Sequence, residues 1–434
     1  MKTAVYGLGH LGCVTAACLA RTGNEVCGLD PDEEVVRGLA AGRPPVDEPG
    51  LAERVAAGLR EGRLSFTTDA GRALRGAEVL WVAFDTPVNE RDEPDIPWVR
   101  ARLEAVADRV PPGTMVLVSS QVPVGFTASL ERDWAGRGLR FAYSPENLRV
   151  GRAVESFERA ERVVVGVRDG ADRERLGRLL GPVTAPIEWM SVESAEMTKH
   201  ALNAFLATSV GFANEVARVC EAVGADAREV ERALRSDGRI GRRAYLSPGA
   251  GFAGGTLARE VRSLACVAKG QGIATPLLAG VLASNEAHEA WLRDRVRDAL
   301  GGTLHPVAAV LGLTYKPGAG TLRRSSAVDL CRWLRAEGVA VKAHDPSVRV
   351  ASPEIDRLDI VLCASPDEAI RGADVAVVAT AWPDYRRLGA SDFVGRMRRP
   401  HVIDPSGLLD SLASEPRITY VVAGRAIGGS GAKS

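Results

Sequence analysis

The sequence predicts an α/β protein in which two Rossmann-like, doubly wound domains are joined by a long central helix. In residues 2–166, short apolar runs such as TAVYG, EVLWVAF and RVVVG alternate with helical patterns rich in Ala, Leu, Glu and Arg, as expected for β-α-β units on a parallel sheet. Residues 191–224 carry apolar side chains every three or four positions without proline, which predicts one helix of ~30 residues. After residues 305–306 the alternation restarts with VAAVLGL and VAVKAHD, so we expect a second open sheet.

Length and charge narrow the functional classes. A chain of 434 residues is too long for one core, and we expect three parts at residues 1–190, 191–300 and 301–434. The 55 basic and 55 acidic residues give a formal net charge of zero, so no global field favours nucleic acid or an anionic membrane surface. The start MKTAVYGLG has a strand pattern instead of a signal peptide, and no apolar run is long enough to span a membrane. We therefore predict no nucleic-acid or membrane partner, and a disordered low-complexity tail at 428–434.

The cysteines and histidines show no pattern typical of a metal site or a disulfide framework. The seven cysteines are scattered without a CxxC pair, and the six histidines have neither HxH nor HxxxH spacing. The odd number of cysteines also argues against a set of disulfides. We predict that there is no metal site and that the protein works in a reducing cytoplasm.

A glycine-rich turn after the first strand is the first motif with a chemical meaning. It reads Gly7-Leu8-Gly9-His10-Leu11-Gly12, and its glycines allow a tight turn, close approach of backbone amides to a pyrophosphate, and close helix packing. The next strand, EVCGLD, ends in Asp30, where a carboxylate accepts hydrogen bonds from the adenosine ribose of NAD and disfavours the 2′-phosphate of NADP. The motif predicts NAD as cofactor. The alternative is a glycine turn and a capping aspartate in a domain that binds no nucleotide.

Further motifs follow in one order along nearly the whole chain. They are EPGL at 48–51, TP at 86–87, VPVG at 122–125, SPE at 144–146, GFAGGTLARE at 251–260 and YKP at 315–317. With them the sequence resembles the UDP-glucose/GDP-mannose dehydrogenase family of NAD-dependent nucleotide-sugar oxidoreductases. The resemblance implies an N-terminal NAD-binding domain, a C-terminal Rossmann-like domain that helps bind the nucleotide sugar, and a central helix that forms a homodimer interface.

The family's catalytic cysteine is absent from this chain. The family oxidises a hexose C6 alcohol by four electrons with two NAD in sequence, and a cysteine holds the aldehyde as a thiohemiacetal before water cleaves the thioester. Its loop reads GFGGSCFPKD; here Thr256 stands at the cysteine, Arg259 at the lysine and Glu260 at the aspartate. A threonine hydroxyl is a poor nucleophile without an adjacent base. We expect Cys266, ten residues on, to pack as a small buried apolar side chain and to have no catalytic role.

Neighbouring differences concern the hydrolytic half of the family reaction. Gln121 replaces a threonine that helps to hold a water, and Val150 replaces a second glutamate, whereas Glu146 is kept. Lys199 and Asn203 are also kept, one helical turn apart and so on one face. In the family such a lysine stabilises negative charge on the reacting oxygen, and the asparagine donates a hydrogen bond to it. The alternative for Lys199 is a solvated helix residue, which its mainly apolar neighbours disfavour.

Two functions follow from this pattern. The first is an NAD-dependent oxidation of one alcohol of a UDP- or GDP-hexose that stops after two electrons at an aldehyde or ketone. Glu260 would act as general base or orient a water, and return of the hydride to the other face would make the protein a redox epimerase. The second is a homologue that binds NAD and a nucleotide sugar without turnover. The stretch KPGAGTLRRSS, which keeps Arg323 but lacks the family's two acids, is the observation in favour of such divergence.

The expected site residues form three groups. The catalytic group, in which Thr256 becomes a polar residue near the sugar, is Glu146, Lys199, Asn203, Thr256 and Glu260. The cofactor-binding group is Gly7, Gly9, His10, Leu11, Gly12, Asp30, Thr86 and Gln121. The substrate-binding group is Arg239, Tyr245, Leu246, Gly251, Phe252, Gly254, Lys316 and Arg323.

Overall fold

The computed structural model describes residues 1–89, 93–146, 148–182, 186–318, 321–350 and 352–426, so the tail at 428–434 lies outside the described residues. The contacts divide the chain into two compact units, Met1–Ala201 and Leu202–Ser434. Each unit contains one open sheet with helices between its strands, which confirms the predicted fold class.

The first unit is built on a sheet in which eight strands are described. They are β1 (Lys2–Tyr6), β2 (Glu25–Leu29), β3 (Leu64–Thr67), β4 (Val79–Val82), β5 (Met115–Val118), β6 (Arg140–Tyr143), β7 (Val163–Gly166) and β8 (Ile187–Met190). Their order is β3-β2-β1-β4-β5-β6-β7-β8, and neighbours are parallel except β6 and β7. The strand order reverses between β1 and β4, and at such a point doubly wound sheets open a nucleotide crevice at the carboxyl ends of their strands.

Helices alternate with these strands. They are α1 (His10–Arg21), α2 (Glu33–Ala40), α3 (Leu51–Arg60), α4 (Ala70–Leu74), α5 (Ile96–Glu104), α6 (Phe126–Asp133), α7 (Ala153–Glu158) and α8 (Gly170–Leu180). Helix α1 is buried from Leu11 to Ala20 because its many small residues let it pack closely against β1, α3 and α7. Side-chain carboxylates accept amide hydrogen bonds at the starts of four of the other helices, as N-cap residues do: Asp32, Asp69, Asp95 and Asp169.

A helix of 32 residues, α9 (Val192–Val223), confirms the predicted long central helix. It is followed by α10 (Ala227–Ser236), α11 (Thr256–Gly270) and α12 (Pro276–Leu300), of which α11 and α12 pack together. The expectation that Cys266 is buried is wrong, because its side chain is exposed on α11. Val261 is fully buried in the cluster with α9 and α12, and Cys266 lies five residues further on, about 140° around the helix at 3.6 residues per turn.

The second unit carries a parallel sheet in which six strands are described. They are β9 (Val307–Leu311), β10 (Ala340–His344), β11 (Val361–Leu362), β12 (Val375–Val378), β13 (His401–Ile403) and β14 (Thr419–Val421), in the order β11-β10-β9-β12-β13-β14. The helices between them are α13 (Ser326–Ala336), α14 (Pro353–Asp356), α15 (Pro366–Ile370) and α16 (Ala390–Arg396). Among the described helices of the chain, none is both long and apolar enough to cross a membrane.

The two sheets share one local design at the end of their first strand. Gly7 after β1 and Gly312 after β9 have φ of 93° and 95°. Their amides donate to the carbonyl of the last residue of the neighbouring strand, Leu29 at 2.9 Å and His344 at 2.7 Å. Each turn therefore places its loop at the carboxyl end of the sheet, where ligands bind in open α/β folds.

Candidate active site

The predicted glycine turn lines a cleft of about 430 Å³ in the first unit. A Cβ atom at Gly12 would lie 1.6 Å from the carbonyl oxygen of Gly7, and one at Gly7 would lie 2.5 Å from the ring of Phe84. Any side chain at either position would break the turn. The cleft is lined by Gly7, Leu8, Gly9, Asp30, Pro31, Asp32, Phe84, Asp85, Trp98 and Arg102.

Asp30 stands at the cleft directly after β2, where the motif predicts it. Its Oδ2 accepts from the Leu8 amide at 2.7 Å, and its Oδ1 accepts from the Asp32 amide at 3.0 Å. These bonds tie the carboxylate to the glycine turn and fix its direction. The guanidinium of Arg102 lies 4.9 Å over the ring of Trp98 in the same cleft, so one cation also faces the space where an adenosine would bind.

Asp85 is a cleft residue that we did not predict. Its Oδ2 accepts a hydrogen bond from the amide of His10, the first residue of α1, at 2.7 Å. A Cβ atom at Gly9 would be 2.2 Å from the same oxygen. The only sequence signal was an acidic residue immediately before the Thr86-Pro87 pair.

His10, Thr86 and Gln121 lie where the chain leaves the sheet. The Nε2 atom of His10 is 3.0 Å from Glu48, whose carboxylate also accepts from the amides of Gly151 at 2.9 Å and Ala153 at 2.6 Å. The Thr86 hydroxyl donates to the backbone oxygen of Gln121 at 2.9 Å and so links the loops after β4 and β5. The predicted cofactor residues of this unit thus come from adjacent carboxyl-end loops.

Lys199 is a partly buried ammonium held by Glu146. Its Nζ atom donates to the Glu146 backbone oxygen at 2.7 Å and to Oε1 at 3.0 Å, and the two side chains are 13% and 27% exposed. Glu146 is fixed in turn because its Oε2 accepts from the Leu148 amide at 2.9 Å. An ammonium has three donors, so the contacts among the described residues leave one for a ligand. This geometry excludes the solvated-lysine alternative.

Asn203 lies one turn after Lys199 on α9 and is 9% exposed. Within the described part of the chain its amide nitrogen has no hydrogen-bond partner. A buried donor without a partner costs free energy, which a bound oxygen would recover. The retained lysine and asparagine therefore present donors on one helix face.

The glycine-rich loop before α11 is clamped from both sides within the second unit. Asn285 of α12 accepts from the Phe252 amide at 2.8 Å and donates to its carbonyl at 3.1 Å, and a Cβ atom at Gly251 would be 2.8 Å from the same side chain. Gly254, with φ of 77°, lies against the ring of Tyr315 so closely that a Cβ atom would be 2.4 Å away. The loop geometry therefore needs glycine at position 254, whereas a side chain at position 251 would displace the Asn285 clamp.

A second polar clamp holds the segment just before that loop. Asn214 of α9 accepts from the Gly249 amide at 3.0 Å, and the ring of His288 lies 2.6 Å from the Gly249 carbonyl. Burial lowers the pKa of His288 to about 4, so the ring is neutral at pH 7. Sequence reasoning missed Asn285 and His288, although two polar residues three apart share a face of α12.

Thr256 and Glu260 share a face of α11 but differ in their surroundings. Thr256 is the first residue of the helix and is exposed. Glu260, four residues later, is 1% exposed, and its Oε1 lies 3.1 Å from Nε of Arg259. In the described residues no group of three or more His, Cys, Asp or Glu side chains could hold a metal ion.

The other predicted substrate residues lie on surface loops of the second unit. Arg239 is exposed and pairs with Asp237 at 2.7 Å, and Tyr245 is 59% exposed, with Leu246 half-buried next to it. The Nζ atom of Lys316 lies 5.4 Å over the ring of Tyr315, and Arg323 is exposed shortly before α13. The side chains of Arg239, Lys316 and Arg323 on these loops are thus exposed to solvent.

A further cleft of about 580 Å³ opens at the carboxyl ends of β10 and β11. His344, Asp345 and Tyr385 line it, and burial lowers the pKa of His344. The Asp345 carboxylate is saturated because it accepts from the Leu313 and Thr314 amides at 2.7 and 2.9 Å and from the Trp382 indole at 3.1 Å.

Comparison with known proteins identifies the family. Its NAD binding domain model matches residues 1–184, its central domain model matches 193–287, and its UDP binding domain model matches 309–411. The chain belongs to the UDP-glucose/GDP-mannose dehydrogenase family. It is an NAD-dependent oxidoreductase of nucleotide sugars, as the resemblance implied.

Similar proteins of this family cover nearly the whole chain. The UDP-glucose 6-dehydrogenase TuaD of Bacillus subtilis (strain 168) is 32% identical over 416 residues, covering 94% of this chain and 89% of the relative. A UDP-glucose 6-dehydrogenase of Pseudomonas aeruginosa is 34% identical over 426 residues, covering 94% of each. The solved UDP-glucose dehydrogenase of Pyrobaculum islandicum has a TM-score of 0.85 at 30% identity and covers 98% of both chains.

Proposed function

We propose that the protein oxidises a single alcohol of a UDP-hexose with NAD and releases an aldehyde or ketone after two electrons. The observation that carries this proposal is Thr256 at the start of α11, at the place that the family loop gives to its cysteine. The UDP moiety is supported by the description of the C-terminal match and by the names of the relatives. A GDP-hexose is the second candidate.

The chemistry of Thr256 gives the reason why oxidation would stop. An amino-terminal helix end lowers the pKa of a thiol and stabilises a thiolate, whereas a hydroxyl there stays protonated without an adjacent base. Of the seven cysteines six are buried, and the exposed Cys266 lies ten residues along α11, about 15 Å at 1.5 Å per residue. Without covalent capture of the aldehyde, the second hydride transfer loses its thiohemiacetal.

The retained polar groups suit the first hydride transfer. Bound NAD would supply the hydride acceptor. Lys199 stabilises the negative charge that develops on the substrate oxygen, and the Asn203 amide, which has no partner among the described residues, donates to the same oxygen. Glu260, held by Arg259, takes the hydroxyl proton directly or through one ordered water. The alcohol carbon loses a hydride and its oxygen loses a proton, which balances a two-electron oxidation.

We further propose where the cofactor and the substrate bind. The glycine turn with His10 and Leu11 would take the pyrophosphate of NAD, Asp30 its adenosine ribose, and the loops at Thr86 and Gln121 its nicotinamide half. Arg239, Tyr245, Leu246, Lys316 and Arg323, with the clamped loop at 251–254, would line the nucleotide sugar. The cation of Arg323 suits a pyrophosphate because a guanidinium matches two phosphate oxygens.

The two-electron reaction is tested by measuring its stoichiometry. Purified protein is incubated with NAD and a panel of UDP-hexoses and GDP-mannose, and the NADH formed per sugar consumed is measured together with the product mass. We expect one NADH and a product two hydrogens lighter than the substrate. Two NADH and a carboxylate would refute the two-electron reaction. A changed sugar without net NADH would indicate epimerisation, and thermal stabilisation by both ligands without any product would indicate a binding protein.

Introducing a thiol at position 256 tests which residues cause the oxidation to stop after two electrons. In Thr256→Cys, Gln121 and Val150 still lack the family's water-handling groups, so the main product should remain an aldehyde or ketone. Thr256→Ser is the matched control, since it keeps a hydroxyl and loses only the methyl group. A carboxylate from Thr256→Cys would show that hydrolysis is intact and that the neighbouring differences do not matter.

We also propose a homodimer that forms through α9. Four exposed apolar residues lie seven, seven and four positions apart along this helix and so form one stripe: Phe205, Phe212, Val219 and Val223, with exposures of 67%, 48%, 61% and 72%. Light scattering should give a dimer mass, and Phe205→Glu with Phe212→Glu should give a monomer. A monomeric wild type would contradict this assembly.

We also propose a cytoplasmic location and a division of the chain into three parts, 1–190, 191–300 and 301–434. All seven cysteines are free, which is the state that a reducing compartment maintains. Fractionation of the native source with antibody detection would test the location, because the proposal requires the protein in the cytoplasmic fraction.

A further inference from the structure

The carboxylate of Asp85 occupies the amino-terminal end of α1. Its Oδ2 accepts from the His10 amide at 2.7 Å. The same oxygen would lie 2.2 Å from a Cβ atom at Gly9, so the carboxylate occupies space that only a glycine leaves open. Asp85 therefore contacts the glycine turn through both a hydrogen bond and close packing.

A bound dinucleotide would use the same two positions of the turn, the space beside Gly9 and the amide of His10. In a Gly-x-Gly-x-x-Gly turn, the second glycine lets the pyrophosphate approach the backbone, and the amides at the helix start bind it. Gly9 is the second glycine of this turn, and His10 begins the helix. Asp85 thus places an internal anion at the position of the cofactor's own anion.

Burial raises the pKa of the Asp85 carboxyl, while the amides at the start of α1 and the nearby ring of His10 act in the opposite direction. Within the described residues no Lys or Arg side chain forms an ion pair with Asp85, and the ring of His10 lies against Glu48 at 3.0 Å. The pyrophosphate of NAD carries two negative charges, so at contact distance the two anions repel unless the Asp85 side chain rotates away.

We infer that Asp85 weakens the binding of NAD and NADH, and so speeds the release of the reduced cofactor after each hydride transfer. This role rests on the cofactor placement proposed above. It also favours one product over another, because return of the hydride to the other face of the sugar requires NADH to stay bound. Asp85 opposes that retention.

Asp85→Asn tests this role because the amide keeps the size and an acceptor oxygen while removing the charge. Dissociation constants of NAD and NADH are measured on the full chain by fluorescence titration and calorimetry. We expect them to fall by at least about tenfold, which corresponds to 1.4 kcal/mol, and NADH release to slow. The matched control is Asp69→Asn, because Asp69 caps α4 through the amides of Gly71 and Arg72 and lies outside the cleft lining. This control should bind NAD as the wild type does.

Salt separates charge repulsion from a steric effect. Raising the ionic strength from about 0.1 to 1 M shortens the Debye length from ~10 to ~3 Å, so the affinity gap between wild type and Asp85→Asn should narrow. If Asp85→Asn binds NAD within threefold of the wild type, or more weakly, the inference is overturned while NAD-dependent oxidation stands. If neither protein binds NAD, the cofactor placement falls as well. Asp85→Ser repeats the test should the first variant fail to fold in a thermal melt.

Discussion

Replacing Lys199 with Met removes the charge that the proposed mechanism needs. The ammonium is 13% exposed and lies 3.0 Å from Glu146 Oε1, so it acts in a partly dry site. A charge about 3 Å from an alkoxide, at an effective dielectric constant of ~20, gives roughly 5 kcal/mol of gross attraction, part of which Glu146 offsets. Loss of a comparable preorganised donor costs about 10²–10³ in kcat. We expect Lys199→Met to lower kcat by about that factor and to change KM less.

The assay is NADH absorbance with the best sugar of the panel, from which kcat and KM are obtained separately. Lys199→Arg keeps the charge and should retain more activity than Lys199→Met. Lys269→Met removes an exposed lysine at the end of α11 and should leave both constants unchanged. A folded Lys199→Met enzyme that keeps more than about a tenth of the wild-type kcat would refute charge stabilisation by this ammonium.

Three further outcomes can be checked independently. Asp30→Asn should reduce the preference for NAD over NADP, measured as a ratio of kcat/KM values, because no carboxylate then repels the 2′-phosphate; an unchanged ratio would remove Asp30 from the ribose site. Burial lowers the pKa of His288 to about 4 in the folded protein. Between this pH and the pKa of about 6.5 in the unfolded chain, the His288 ring is protonated only when the chain is unfolded. Stability should fall as the pH drops through that window, by roughly 3 kcal/mol in all, and urea melts of His288→Asn should lack this part of the slope; equal slopes would contradict it. A sugar deuterated at the oxidised carbon should yield deuterated NADH free in solution, whereas deuterium kept in the sugar pool would indicate epimerisation.

Local patterns predicted the parts of the fold that depend on neighbours in sequence. The turn at Gly7 and the acid at Asp30 lie within one strand-helix-strand unit, and α9 follows from its apolar spacing. The burial of Cys266 was predicted wrongly because composition does not say which face of a helix is covered. Contacts between distant residues had no local signal, as with Asp85, which meets His10 across 75 positions.

The same limit holds for the clamp on the loop before α11. Asn285 meets Phe252 across 33 positions, and His288 meets Gly249 across 39. Each is one polar residue in a helix, and only packing brings it to a backbone carbonyl or amide. The resemblance identified the loop from the sequence of the loop itself. The residues that fix its geometry, Asn285 and His288, lie on α12, where no family motif was recognised.

Thr256 and Asp85 act on different steps, and together they point to one kind of product. With no thiol at position 256, the carbonyl formed by the first hydride transfer is not held covalently. With an anion at the start of α1, the reduced cofactor is not held tightly either. Epimerisation needs both the carbonyl and NADH to remain in place for the return step, and four-electron oxidation needs the carbonyl to remain while NADH is exchanged. A site that retains neither is suited to release of the aldehyde or ketone after a single oxidation.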